Sequence, residues 1–207
     1  MLAFYLLLHI IFPTVWSELL AFNIIPIAAI VAIAFAPHIS DGVTKPTTVI
    51  AIALWTCGSV IASTASFLSI SAAASNISSI MYLLFYPLTM IGLPRLLAVN
   101  RKLSLLELVD SSIFGLGLTT LGSALVLKPV VPHFDGNIAD TFFAVMYPIA
   151  DFILVCVVIA TISLQGYSRR GLTLGFGVTI FALTDFLFLW QHINGSYLMG
   201  SVLDVGW

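Results

Sequence analysis

Apolar residues run through this chain in long blocks, broken at intervals by short clusters of Pro, Gly, Asn and charged side chains. A helix needs about 20 apolar residues to cross ~30 Å of hydrocarbon, and seven blocks approach that length. The first, Leu2 to Trp16, is short and interrupted by Pro13. The second runs from Leu19 to Ala36, where the turn formers PHISDGVTKP (37–46) close it. The third covers Thr48 to Ile70, and the small polar stretch SAAASNISS after it predicts an outer turn. The fourth, Ile80 to Val99, ends in the basic NRK of residues 100–102. The fifth covers Leu105 to Leu127 and leaves through KPVVPHFDGN (128–137). The sixth runs from Asp140 to Leu164 before QGYSRR, and the seventh from Leu172 to Ile193. After NGSYLMGS, the residues VLDVGW read as the opening of an eighth helix. The pattern therefore predicts an all-α, polytopic transmembrane helix bundle of about seven spans plus the start of an eighth. It also predicts one domain over residues 1–207, truncated before the rest of that helix and a cytoplasmic output domain.

Composition agrees with the pattern. Of 207 residues 60% are hydrophobic and 8% charged, with mean hydropathy +1.14. A soluble domain carries roughly a quarter of its residues as charges, so the outside of this molecule is expected to face lipid. The formal charge of −2 and the scattered basic residues argue against nucleic-acid binding. Cys57 and Cys156 both fall in apolar runs without a C-x-x-C or zinc-type spacing, which reads as small hydrophobes without a metal or redox role. The start, MLAFYLLLHIIF, lacks a basic leader and a small-residue cleavage site, so it reads as a retained span.

Basic residues set the expected orientation. Lys45, Arg95, Arg101, Lys102, Arg169 and Arg170 fall at loops on one side of the predicted bundle, against Lys128 on the other. Short loops rich in Lys and Arg stay in the cytoplasm. The expected location is thus the inner (plasma) membrane, multi-pass, with the basic loops cytoplasmic.

Acidic residues inside hydrocarbon cost several kcal/mol unless partnered, which singles out Asp151 in the sixth span and Asp185 in the seventh. At ~1.5 Å per residue, Asp151 lies ~16 Å and Asp185 ~10–12 Å below the outer face, with Asp204 near the surface. Glu107 and Asp110 open the fifth span near the cytoplasmic side, where a solvated or capping role fits. Tyr147 and Asp151 are one helical turn apart, Asp185 and His192 two turns, Asp204 and Trp207 close to one. If these faces meet they line an outer-half cavity. Pro148 frees the carbonyl of Ala144 and predicts a bend or a widened turn there. The plainer reading is that both acids hydrogen-bond neighbouring helices and fix their packing, and that His192 is an interfacial histidine. Asn76-Ile-Ser78 and Asn194-Gly-Ser196 match the glycosylation sequon in loops expected to face outward.

Two internal echoes run along the chain. SVIASTASFLSISAAASNISSIMY (59–82) parallels DFLFLWQHINGSYLMGSVLDVGW (185–207), and Phe85-Tyr86-Pro87 parallels Met146-Tyr147-Pro148, which adds Tyr86 to the candidates. A retinal-binding lysine is missing from the late spans. So are the paired aspartate motifs of intramembrane proteases, a Gly-x-Ser-x-Gly, an HExxH and a Walker loop. The expectation is a non-enzyme without cofactor or metal.

Several segments together are similar to a known region. SSIMYLLFYPLTMIGL (78–93), LLELVDSSIFGLGL (105–118), MYPIADFILVCVVI (146–159) and ALTDFLFLWQHINGSYLMGSVLDVGW (182–207) come in an order that resembles the multi-helix amino-terminal membrane region of bacterial GGDEF/EAL proteins, diguanylate cyclases and phosphodiesterases. LAFNIIPIAAIVAI (20–33) is similar to that region's early span. Tyr-Pro-x-x-Asp and the closing Gly-Ser-x-x-Asp-x-Gly-Trp are the most specific pieces. Ser59 and Ser79 depart from it, standing where acidic residues are typical, and no GGDEF or EAL domain lies within these residues. The resemblance implies a sensory or regulatory input module for cyclic di-GMP signalling. Its expected partners are the bilayer and other membrane subunits or a second copy. The alternative is a non-catalytic accessory or structural subunit of a larger membrane complex; a small transporter fits less well, since charged pairs on adjacent spans are missing.

Overall fold

The computed structural model describes residues 20, 22–36, 42–68, 72–97 and 138–197, together with 106, 109, 110, 113, 116, 117, 120, 203 and 206. Among these residues the regular structure is helical, without a strand. Five helices are defined: α1 (Phe22–Phe35), α2 (Thr44–Leu68), α3 (Ala72–Leu97), α4 (Ile138–Gln165) and α5 (Arg169–Ile193). Four carry segments long and apolar enough to cross a membrane: Thr44–Ala65, Ser75–Leu97, Val145–Ser163 and Arg169–His192. The second expected span is the 14-residue helix α1, shorter than a full crossing. The first lies outside the described residues, and the fifth is seen only at seven positions between 106 and 120, all helical.

Packing divides the chain into two compact units, Met1–Thr89 and Met90–Trp207. In the first, α1 runs antiparallel to α2, joined along its length by Phe22 beside Trp55 at a ring distance of 6.0 Å. At the loop end Lys45 donates from Nζ to the carbonyl of Ala36 at 2.9 Å, where it caps the carbonyl end of α1. The following helix, α3, meets α2 through Tyr82 on Trp55, again 6.0 Å between rings. In the second unit α4 and α5 form an antiparallel hairpin closed by Gly166, Tyr167 and Ser168, with Gly166 at φ +86°. Ser168 caps α5, its hydroxyl oxygen accepting from the amide of Gly171 at 3.0 Å.

Three sequence expectations are corrected. The polar stretch after the third block is helical from Ala72 onward, because its run of alanines has the highest helix propensity of any residue. Ser78 consequently sits buried inside α3, 3% exposed, so the first sequon is not an exposed loop. Of the bend or widened turn expected at Pro148, the widened turn is not formed: residues 144–148 keep α-helical geometry within the 28-residue helix. One missing amide donor among so many retained bonds is absorbed locally, with the ring buried.

The helices handle their polar groups as an apolar surround requires. Hydroxyls of Thr56, Thr64, Thr89, Thr161 and Thr179 donate to carbonyls four residues earlier, at 2.7 to 2.8 Å. Large apolar side chains remain exposed, Leu172, Phe176, Ile180, Leu183, Leu187 and Trp190 of α5 among them. Only 11% of the α5 segment is buried, against 50% for α4. Such an exterior suits lipid rather than water.

Candidate functional site

The site is built on the seam between α4 and α5. Gly171 and Gly175, one turn apart on α5, let the two backbones approach closely. A Cβ at Gly175 would lie 3.0 Å from Ile162 Cδ1 and 3.7 Å from Val158 Cγ1, and one at Gly171 3.4 Å from Ile162 Cγ1. These contacts fix both the facing stripes and the register. On α4 the stripe through Ile162 and Val158 continues two turns back to Asp151; on α5 the stripe through Gly171 and Gly175 continues through Val178 and Ala182 to Asp185 and Leu189. Counting outward from the glycine contacts brings Asp151 and Asp185 to the same level of the seam.

Burial matches that placement. Asp151 is 2% exposed, between buried Ala150 and Leu154, while Asp185 is half-buried. Tyr147, one turn before Asp151, is half-buried and stacks on Phe143 with centroids 6.3 Å apart. None of Tyr147, Asp151 and Asp185 lacks an interaction partner. Pro148 is buried in the same turn. Tyr147, Pro148 and Asp151 thus lie within about one turn of α4, the helix that packs against the one carrying Asp185.

Of the other four, His192 and Tyr86 fall elsewhere. His192 shares Asp185's helix but is exposed at its end, stacked on Phe188 at 5.6 Å, with Tyr197 edge-on to the same ring at 4.7 Å. Tyr86 is buried in α3, 3% exposed, edge-to-face with Phe85 at 5.4 Å. Asp204 and Trp207 lie outside the described residues.

Sequence reasoning passed over two features. Thr184, 5% exposed, points about 100° around α5 from Asp185, and Gly206 lies so close against its side chain that a Cβ has no room. A glycine two positions after an acid gave the only signal. In the first unit, Asn23 (5% exposed) accepts at Oδ1 from the hydroxyl of Ser59 (2% exposed) at 2.9 Å. Ser78 donates to the carbonyl of Gly58 at 2.9 Å. Gly58 is needed there, since a Cβ would meet the Tyr82 ring at 3.1 Å and the Ser78 carbonyl at 3.2 Å. Neutral side chains carry no charge penalty, so neither Asn23 nor Gly58 stood out in the sequence, and Ser59 and Ser78 stood out for other reasons.

Among the described residues, no three His, Cys, Asp or Glu side chains converge on a point that could hold a metal ion. Cys57 is exposed and Cys156 buried, both as free thiols. Compared with known protein families, curated proteins and solved structures, the chain matches none.

Proposed function

We propose that this protein is a membrane-embedded sensory or regulatory input module whose signal acts at the α4–α5 seam. One observation carries the reading: Asp151 is 2% exposed in the most deeply buried of the apolar spans; the glycine contacts of the seam support a place for Asp185 at the same level. An acid at that depth costs several kcal/mol unless it is partnered, and residues kept at such a cost mark functional positions. Two carboxylates at one level suit a shared proton or a small cation, with Tyr147 as a hydroxyl neighbour. Occupancy changes the net charge in the seam, and with it the force between α4 and α5.

In this reading the basic loops face the cytoplasm and the acids lie in the outer half of the membrane. The resemblance to GGDEF/EAL membrane regions supports cyclic di-GMP synthesis or breakdown as the output. The test uses the protein in its native cell, with Asp151→Asn and Asp185→Asn singly and together. Cyclic di-GMP should change by about fivefold or more, the lower range of allosteric coupling, at unchanged protein level. An unchanged second messenger in the double variant would overturn the assignment.

The broad exposed stripe on α5 favours one alternative, a subunit that packs sideways in a larger membrane complex. Co-purification of stoichiometric partners in mild detergent, lost on polar substitution of Phe176 and Leu183, would support it over the sensor.

A further inference from the structure

Contacts in the two units can be set side by side. In the first, the polar pair of the antiparallel helices is Asn23 with Ser59, and their loop-end contact is Ala36 with Lys45. In the second, the loop-end contact is Ile162 with Gly171, and counting along both helices from it brings Asp151 level with Asp185. Moving Ser59 onto Asp185, a shift of 126 residues, carries Lys45 onto Gly171. Moving Asn23 onto Asp151, a shift of 128, carries Ala36 to within two residues of Ile162.

A third contact agrees. The shift of 126 carries Gly58 onto Thr184. Gly58 is pressed by Ser78 and Tyr82, and Thr184 by Gly206, whose counterpart under the same shift falls between those two residues. In each unit, then, the position before the polar residue of the second helix meets a residue of the following segment, with a glycine on one side of the contact. The echo of residues 59–82 in residues 185–207 is the sequence trace of this geometry.

We infer that the two units are copies of one helical plan, and that the first holds a neutral, self-satisfied pair, Asn23 and Ser59, where the second holds two acids. A serine hydroxyl donates to an asparagine oxygen without outside help, so the first copy closes as a fixed clamp. Two carboxylates are both acceptors when ionised and cannot make that bond. Both acids have partners in the fold, and their charge makes the second copy the one whose pairing changes when a proton or a cation enters the seam. The division of labour rests on the proposed seam site; the repeat itself does not.

The test is site-directed cross-linking of the full chain in membranes, with Cys57→Ala and Cys156→Ala as background. Asn23→Cys with Ser59→Cys, and Asp151→Cys with Asp185→Cys, should both form disulfides on mild oxidation. Ile52→Cys with Asn23→Cys, and Val178→Cys with Asp151→Cys, lie two turns or ~10 Å out of register, beyond disulfide reach, and should not. Failure of the 151/185 pair, or linking no faster than 151/178, would overturn the repeat. The exchange Asp151→Asn with Asp185→Ser writes the first copy's pair into the second and should keep the yield of folded protein. Loss of folded protein in that exchange would count against equivalence of the two pairs. If cross-links form as expected while the exchange leaves cyclic di-GMP unmoved, the sensor reading fails and the repeat stands.

Discussion

At the scale of single residues, the sharpest contrast is between two glycines that look alike in sequence. Gly58 sits in a helix with the Tyr82 ring at 3.1 Å and a backbone carbonyl at 3.2 Å from where a Cβ would go; Gly177 has open space around it. Gly58→Val should lower the thermal midpoint in detergent sharply, at a cost of about 1–3 kcal/mol from overpacking. Gly177→Ala should raise it slightly, by about 0.5–1 kcal/mol, through helix propensity. A tolerated Gly58→Val would show that α2 and α3 are not in close contact. Asn23→Ala should cost about 0.6 kcal/mol, the average for an interhelical hydrogen bond in a membrane bundle, read from the same melts. Asp151 stands out in the bare sequence because its charge makes burial expensive. Asn23 and Gly58 do not, because neither their polarity nor their size departs from what an apolar helix tolerates.

At the scale of elements, the positions of the third, fourth, sixth and seventh blocks were legible and their ends were not. The stretch after the third block reads as a turn by polarity, yet its alanines make it helix, and α5 begins at Arg169, three residues before the apolar run does. Hydropathy marks where lipid is met, whereas helices run on past it until a cap or a turn stops them. At α5 those stops are explicit. Ser168 holds the first turn, and at the far end Gly195, at φ +63°, gives its amide to His192 while Ser196 donates to the carbonyl of Gln191. This is a Schellman closure. Ser168→Ala should cost about 1 kcal/mol, and Gly195→Ala a similar amount because an alanine resists the left-handed conformation. Hydrogen exchange should localise each loss to its own end of α5; faster exchange along the whole helix would mean that the caps are coupled to the seam.

For the whole molecule, scarce charge and long apolar blocks made helices long and apolar enough to cross a membrane legible in the sequence. It left the pairing of those blocks open, since lipid-facing and helix-facing residues are equally apolar. Only small residues such as Gly171 and Gly175 mark a helix interface, and they are recognised as such once their contacts are known. Orientation is the testable global statement. Tyr167, 81% exposed in the α4–α5 connection beside Arg169 and Arg170, is a suitable probe position. In a background with Cys57 and Cys156 replaced by Ala, Tyr167→Cys should resist a membrane-impermeant thiol reagent in intact cells and react once the membrane is opened. Labelling from outside would reverse the topology and place the acid seam nearer the cytoplasm.

The closure of α5 also sets how this protein ages. Asn194 is followed by Gly195, the pairing in which an asparagine side chain is most readily lost: the glycine nitrogen attacks the side-chain carbonyl, a succinimide ring closes, ammonia leaves, and water reopens the ring to aspartate or isoaspartate. In the folded helix end both reactants are engaged. Gly195 N–H is held by the carbonyl of His192, and Asn194 Nδ2 donates to the carbonyl of Trp190 at 2.7 Å. Deamidation at Asn194 therefore requires this turn to open first, and the slow gain of isoaspartate in stored protein becomes a clock that counts the openings of one end of one helix.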